Sequence, residues 1–395
     1  MNLGLNPYKN YITQDWLLWD GVAQFNHSRF LYPPIAGNFF QPFAKFHYDT
    51  AKHIWNYLNF IFVIAGIFFW LKIFRFEKNI FIVLITGIFS FNFFPLYTLL
   101  ERGQIDGLSF LLITFSAYFS FKKNNQPASG FFLALASIFK FYSLLLVPFY
   151  IVKKKYKTAL STVFTFTAII ILMYVINSSQ EVNDYVLYQA PRISQYGESG
   201  TDEMRPDSWI LKNYFRISRY SISMVEGRTY LSESISFFSN ASLVRLIAQV
   251  EAAAGINIPA SVISMLFLLC AFIFLYKKKK YHSDIELFML TILFILLFSP
   301  FTWVMNLIWL IPLFFILVEL VKRRGYRNLS FILMVIGLFI IFIPDNHRTY
   351  VSIVDNIIKH RYIAGEVLII TGVILLPRYK TPKTSASKLS KFSSI

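Results

Sequence analysis

The sequence predicts an all-α integral membrane protein, a polytopic helical bundle whose loops alternate between two sides of a bilayer. Three observations predict it. The 395 residues are 56% hydrophobic and 19% aromatic, with 44 Phe. Stretches such as Ile54–Phe74 and Ile80–Leu100 are long enough to cross a hydrocarbon core of about 30 Å. Positive charge falls in six short runs between such stretches: Lys72/Arg75/Lys78, Lys122–Lys123, Lys153–Lys157, Lys277–Lys280, Lys322–Arg327 and the tail from Arg378. These hold 22 of the 38 basic residues and, with Glu77, Asp284, Glu286 and Glu319, only four of the 21 acids; the rest of the chain sums to −1. Lys and Arg mark cytoplasmic loops. The net charge of +17 is therefore a topology signal, and nucleic-acid binding has no place in explaining it.

The apolar segments run 54–74, 79–98, 105–121, 128–152, 158–177, 257–276, 284–300, 303–321, 328–344 and 362–377. Reading all of them as simple crossings breaks the charge rule once, because 128–152 would put Lys122–Lys123 and Lys153–Lys157 on opposite faces. A helical hairpin at 128–152, turning near Lys140, removes the conflict. Its arms of about 18 Å must end inside protein or at a wet cavity, since lipid does not tolerate exposed polar backbone. The resulting layout is an exterior N-terminal loop with an interfacial helix (1–53), a first transmembrane bundle (54–177), an exterior loop domain (178–257), a second transmembrane bundle (258–377) and a cytoplasmic basic tail (378–395). The loop domain reads as folded, with helical character around Ser234–Ala254, and the Ser/Lys tail reads as disordered.

Five features carry candidate chemistry. Tyr32-Pro33-Pro34 sets an extended approach to a helix that Pro34 can open. Glu101-Arg102-Gly103-Gln104-Ile105-Asp106-Gly107 puts two acids and an arginine at a membrane boundary, where they must pair or do work. Lys140 is the only lysine embedded deep in an apolar segment. It either snorkels to the interface or offers a compact counter-charge to an anionic ligand such as a phosphate. Asn240-Ala241-Ser242-Leu243 with Arg245 is also an ordinary helix start. Ser299-Pro300-Phe301-Thr302-Trp303 with Asn306 lies between two spans, where Trp is at home. Cys270 sits alone inside a span, so no disulfide framework exists. His27, His47, His53, His282, His347 and His360 show no metal-ligand spacing, and no cofactor fingerprint is present.

In order along the chain, these pieces resemble glycosyltransferase family 87, a group of type C membrane glycosyltransferases that includes mannosyltransferases using polyprenyl-phosphate-mannose. Gly4–Tyr8 is similar to the family's G-x-x-P-Y and Tyr32–Pro34 to its Y-P-P. Gly103–Asp106 resembles G-Q-x-N with Asp in the last place. Ala134–Lys140, with Leu145–Pro148 after it, resembles a small-residue hairpin ending in Lys. Asn240–Leu243 resembles N-Q-S-L with Arg245 close behind, and Ser299–Trp303 resembles S-P-x-S-W. Two departures stand out. The acidic and His positions that commonly follow S-P-x-S-W are Val304, Met305 and Asn306 here. The chain also starts almost at the G-x-x-P-Y stretch, upstream of which the family carries its first helix and an Asp.

The resemblance implies a bundle of the type C glycosyltransferase kind in the cytoplasmic (inner) membrane, with the active site on the exterior face. It implies transfer of a hexose, mannose favoured, from a polyprenyl-phosphate donor to a lipid or glycan acceptor, with inversion and without a metal. Arg102, Gln104, Lys140 and Arg245 would meet the donor and its phosphate. Tyr32, Asp106, Asn240, Ser242, Trp303 and Asn306 would line the acceptor or loop side. The expected base is an Asp upstream of Met1 in a native chain longer by one span, with Asp15 and Asp20 as the carboxylates nearest in sequence. Two other readings stand beside this one. A transporter or flippase for a lipid-linked sugar explains the spans and Lys140 but not a folded exterior loop. A catalytically degenerate family member would fit the departures.

Overall fold

The computed structural model describes residues 32–190, 241–243, 246–247, 260–299, 302–324, 328–343 and 360–376. All regular structure among them is helical. Pro34 occupies the first position of α1 (Pro34–Phe40), where its missing N–H leaves nothing unpaired. α2 (Tyr48–Phe74) runs 27 residues and ends at Arg75, whose φ of 60° is left-handed.

The apolar stretch 79–98, read from sequence as one crossing, is two helices: α3 (Ile80–Phe91) and α4 (Phe94–Arg102), bent by 56°. The cause is local. Asn92 turns its amide back onto the Ile88 carbonyl, and Pro95 in the first turn of α4 cannot extend the preceding hydrogen-bond ladder. α5 (Asp106–Phe121) follows directly.

α6 (Gln126–Phe139) stops at Lys140, whose backbone is extended (φ −136°, ψ 91°). A 3-10 turn over Phe141–Leu146 and α7 (Val147–Val152) then lead back. Ser129, early in α6, and Tyr150, late in α7, both bond the Ser116 hydroxyl, at 3.1 and 2.9 Å. The two legs therefore lie side by side, with Lys140 at their far end. The 14 residues of α6 span about 21 Å. α8 (Tyr156–Ile176) packs against α6 so closely that a Cβ on Gly130 would sit 2.3 Å from the Thr158 carbonyl oxygen.

The second half adds α10 (Ala260–Lys278), α11 (Asp284–Phe298), a 3-10 turn (Val304–Leu310), α12 (Pro312–Arg324), α13 (Leu329–Phe342) and α14 (Arg361–Ile374), with the short α9 (Ser179–Asn183) closing the first half. α11 is buried without a break from Leu287 to Leu297, and every residue of Val304–Leu310 is buried too. A helix apolar all round belongs in the middle of a bundle. α3, α8 and α10 instead show large apolar side chains outward, among them Phe81, Phe164 and Met265, as a lipid-facing surface requires. Asp49–Phe74, Tyr156–Ile176 and Val304–Lys322 are each long and apolar enough to cross a membrane, and the bent pair α3–α4 makes a fourth.

Contacts sort the loops onto two ends. At one end Lys155 bonds the Ser120 carbonyl and hydroxyl at 3.0 and 2.8 Å. Asp284 pairs there with Lys153 at 2.5 Å and Lys155 at 3.8 Å, and Lys322 lies over the Phe76 ring. Burial lowers the Lys155 ammonium below its usual range, and the Asp284 carboxylate opposes that shift. The opposite end gathers Tyr32, Arg102–Asp106, Lys140 and Trp303–Asn306.

Candidate functional site

Asp106 opens α5, where a carboxylate suits the positive end of the helix dipole. Its side chain has no exposed surface. Lys140 reaches it from the break between α6 and the following turn, with Nζ 3.2 Å from Oδ2. The extended backbone at Lys140 directs this. Its N–H still closes α6 on Ala136, and its carbonyl accepts from Ser143, so the side chain is free to turn inward. At 9% exposure Lys140 does not snorkel; it is held in the interior by an acid.

The second Asp106 oxygen accepts from Asn306 Nδ2, 200 positions further along. Asn306 is fully buried on the 3-10 turn, and its own oxygen accepts from the Trp303 N–H at 2.7 Å. Both ends of the amide are thus committed. Two of the positions at which the sequence departs from the resembled pattern, Asp at 106 and Asn at 306, are in direct contact. An acid at each would place two like charges in one buried site; the carboxamide instead gives the carboxylate a donor beside its Lys140 counter-charge. Trp303, half-buried, lies under Arg102, whose guanidinium carbon stands 5.8 Å from its ring centroid. Arg102 is exposed and makes no ion pair among the described residues.

Tyr32 donates to Gln104 Oε1 at 2.9 Å, and its ring lies 5.9 Å from Lys140 Nζ. Burial first, then the Asp106 carboxylate, pushes the Tyr32 phenol well above its usual range, so it remains a donor at every working pH. Beneath it, α2 grips the turn between α4 and α5. Trp55 Nε1 donates to the Gly103 carbonyl and Asn59 Nδ2 to the Gln104 carbonyl, each at 2.8 Å. Two glycines make this grip possible. Gly103 takes a left-handed φ of 60°, and a Cβ on Gly107 would stand 2.5 Å from Asn59 Oδ1 and 3.0 Å from the Asn59 carbonyl oxygen.

Ser242 reaches the same end of the bundle. Its hydroxyl donates to the Ser299 carbonyl and, at 3.3 Å, to that of Leu297, while the Ala241 N–H meets the Thr302 carbonyl at 2.6 Å. Two separate sequence motifs therefore dock on each other. Asp15, Asp20, Asn240 and Arg245 lie outside the described residues. So does most of the helical reading of Ser234–Ala254, although Leu243, Leu246 and Ile247 are helical. Tyr32, Gln104, Asp106, Lys140, Trp303 and Asn306 come together, with Arg102 at the edge.

Sequence reasoning passed over four residues here. Trp55 and Asn59 hold the Gly103–Gln104 turn; their signal was a pair of polar positions, Asn56 and Asn59, in the otherwise apolar stretch Ile54–Leu71. Tyr142 and Trp309, whose ring centroids are 5.1 Å apart, adjoin Lys140 and Asn306. Nothing in an aromatic-rich chain marks those two out.

A search of curated proteins returned no match to the chain. The family model described as glycosyltransferase family 87 matches residues 30–300, from just before Tyr32 to the middle of the Ser299–Trp303 turn. The match takes in most of the chain and the candidate site residues from Tyr32 to Arg245, and the protein belongs to glycosyltransferase family 87, a family of membrane glycosyltransferases.

Proposed function

We propose that the chain transfers a hexose, mannose by preference, from a polyprenyl-phosphate donor to a lipid or glycan acceptor at the exterior face of the cytoplasmic membrane. The observation that carries the reading is the Lys140–Asp106 pair at the end of the bundle opposite the basic loops, with the exposed Arg102 beside it. A buried lysine neutralised by one acid needs little reorganisation to meet a second anion. Arg102, which makes no ion pair among the described residues, supplies positive charge at the edge where a lipid headgroup would arrive.

In this scheme the bond between the anomeric carbon and the donor phosphate oxygen breaks, and its electron pair stays on the phosphate. The acceptor hydroxyl forms the new bond from the opposite side, inverting the anomeric carbon, and gives its proton to a carboxylate. Charge grows on the leaving phosphate, so Arg102 and Lys140 stabilise the transition state more than the ground state. Asp106 is engaged by Lys140 and Asn306 and serves to hold Lys140. The proton acceptor is therefore a separate carboxylate, for which Asp15 and Asp20 are the candidates. Gln104, fixed by Tyr32, orients polar groups of the donor, and Arg245, Asn240 and Ser242 belong to the loop side of the site.

Reconstituted protein with radiolabelled polyprenyl-phosphate-mannose tests the reading. Lys140→Ala and Arg102→Ala should each lower transfer per mole of folded protein by about tenfold or more, equivalent to about 1.4 kcal/mol, and Arg102→Ala should leave protein yield in the membrane unchanged. A lipid-linked sugar that crosses vesicles without being transferred would favour the transporter reading instead.

A further inference from the structure

Native interiors rarely leave polar atoms unpaired, yet several gather around the Lys140–Asp106 pair. Trp309 is 1% exposed, and among the described residues neither its Nε1 donor nor the buried Tyr142 hydroxyl has a hydrogen-bond partner. Asp106 Oδ2 is ion-paired with Lys140 at 3.2 Å and makes no hydrogen bond among the described residues. These atoms belong to one neighbourhood. Residues three apart on a 3-10 turn eclipse one another, so Trp309 lies over Asn306, which bonds Asp106. Tyr142 stands two residues beyond Lys140 with its ring against Trp309.

The mixture of donors with a carboxylate acceptor selects a chemical class. A phosphate set directly against Asp106 Oδ2 could only accept and would meet repulsion there, so its place is on the outer side of Lys140. A sugar hydroxyl both donates and accepts, and an aromatic pair suits the apolar face of a pyranose ring. We infer that Trp309 Nε1 and the Tyr142 hydroxyl donate to ring hydroxyls of the transferred hexose, and that Asp106 Oδ2 accepts from one of them. The inference rests on the transfer reaction proposed above and separates its two halves. The hexose lies inward on Trp309 and Tyr142, and the phosphate lies outward toward Arg102. Trp309 is outside the family match at residues 30–300.

Trp309→Phe and Tyr142→Phe each delete one hydrogen-bonding atom and keep an aromatic ring. The purified full chain is assayed with mannose- and glucose-linked polyprenyl phosphates and with their monodeoxy analogues. Each variant should transfer the intact sugar about tenfold more slowly or worse. For one deoxy analogue the variant and the wild type should agree, because the atom and its hydroxyl are then both missing. Variants that transfer intact sugar at the wild-type rate, or that lose equally with every analogue, overturn the inference alone. A wild type that transfers no hexose from any donor overturns the transfer reading, and this inference with it.

Discussion

The Lys140 ammonium and the Asp106 carboxylate face each other across 3.2 Å, 34 positions apart in sequence, in an interior that leaves the acid no exposed surface. Each is the other's principal charge partner, and Asn306 supports the acid from its second oxygen. Such a pair is no strong stabiliser relative to an apolar substitute, but removing one member strands the other as an uncompensated buried charge. Lys140→Met or Asp106→Asn alone should therefore destabilise the protein by about 3 kcal/mol or more. Thermal unfolding in detergent reads this, and a loss near zero would mean that the pair is not formed.

Gly107 sets how closely α5 approaches α2. Gly107→Ala drives a methyl into the Asn59 side chain and backbone, and α2 cannot yield without releasing Gln104. Overpacking of this kind costs about 1–3 kcal/mol. Gly103→Ala should cost about 1 kcal/mol, through its left-handed backbone rather than a clash. Melting temperatures of the two variants give the order, and an unchanged Gly107→Ala protein would contradict the packing described here.

That basic runs share one end of the bundle was legible because their placement is written one residue at a time, in the position of each run between apolar stretches. Lys140 was legible as a lysine in a run of apolar neighbours, and the bend between α3 and α4 had its signal in Asn92 and Pro95. What Lys140 does was not legible. Its partner Asp106 comes from another helix, and the amide that supports Asp106, Asn306, lies 200 positions further along. Both depend on how the bundle closes. Trp55, Asn59, Tyr142 and Trp309 escaped notice for the same reason, since one aromatic or amide among so many acquires meaning only from what it touches.

Sidedness has its own test. In a Cys270→Ser background, Phe46→Cys lies at an exposed position of the N-terminal segment and Lys280→Cys at an exposed position of a basic loop. A membrane-impermeant thiol reagent applied to intact cells should label position 46, and should reach position 280 only after permeabilisation. Labelling of both from one side would overturn the orientation.

The most direct test of the central claim uses the charge-neutral double variant Lys140→Met with Asp106→Asn. It strands no charge, so its stability should return to within about 1 kcal/mol of wild type. If the pair is the charged centre of hexose transfer, transfer should stay at least about tenfold down despite the recovered fold. Transfer that recovers together with stability would show the pair to be a structural pin and contradict the account.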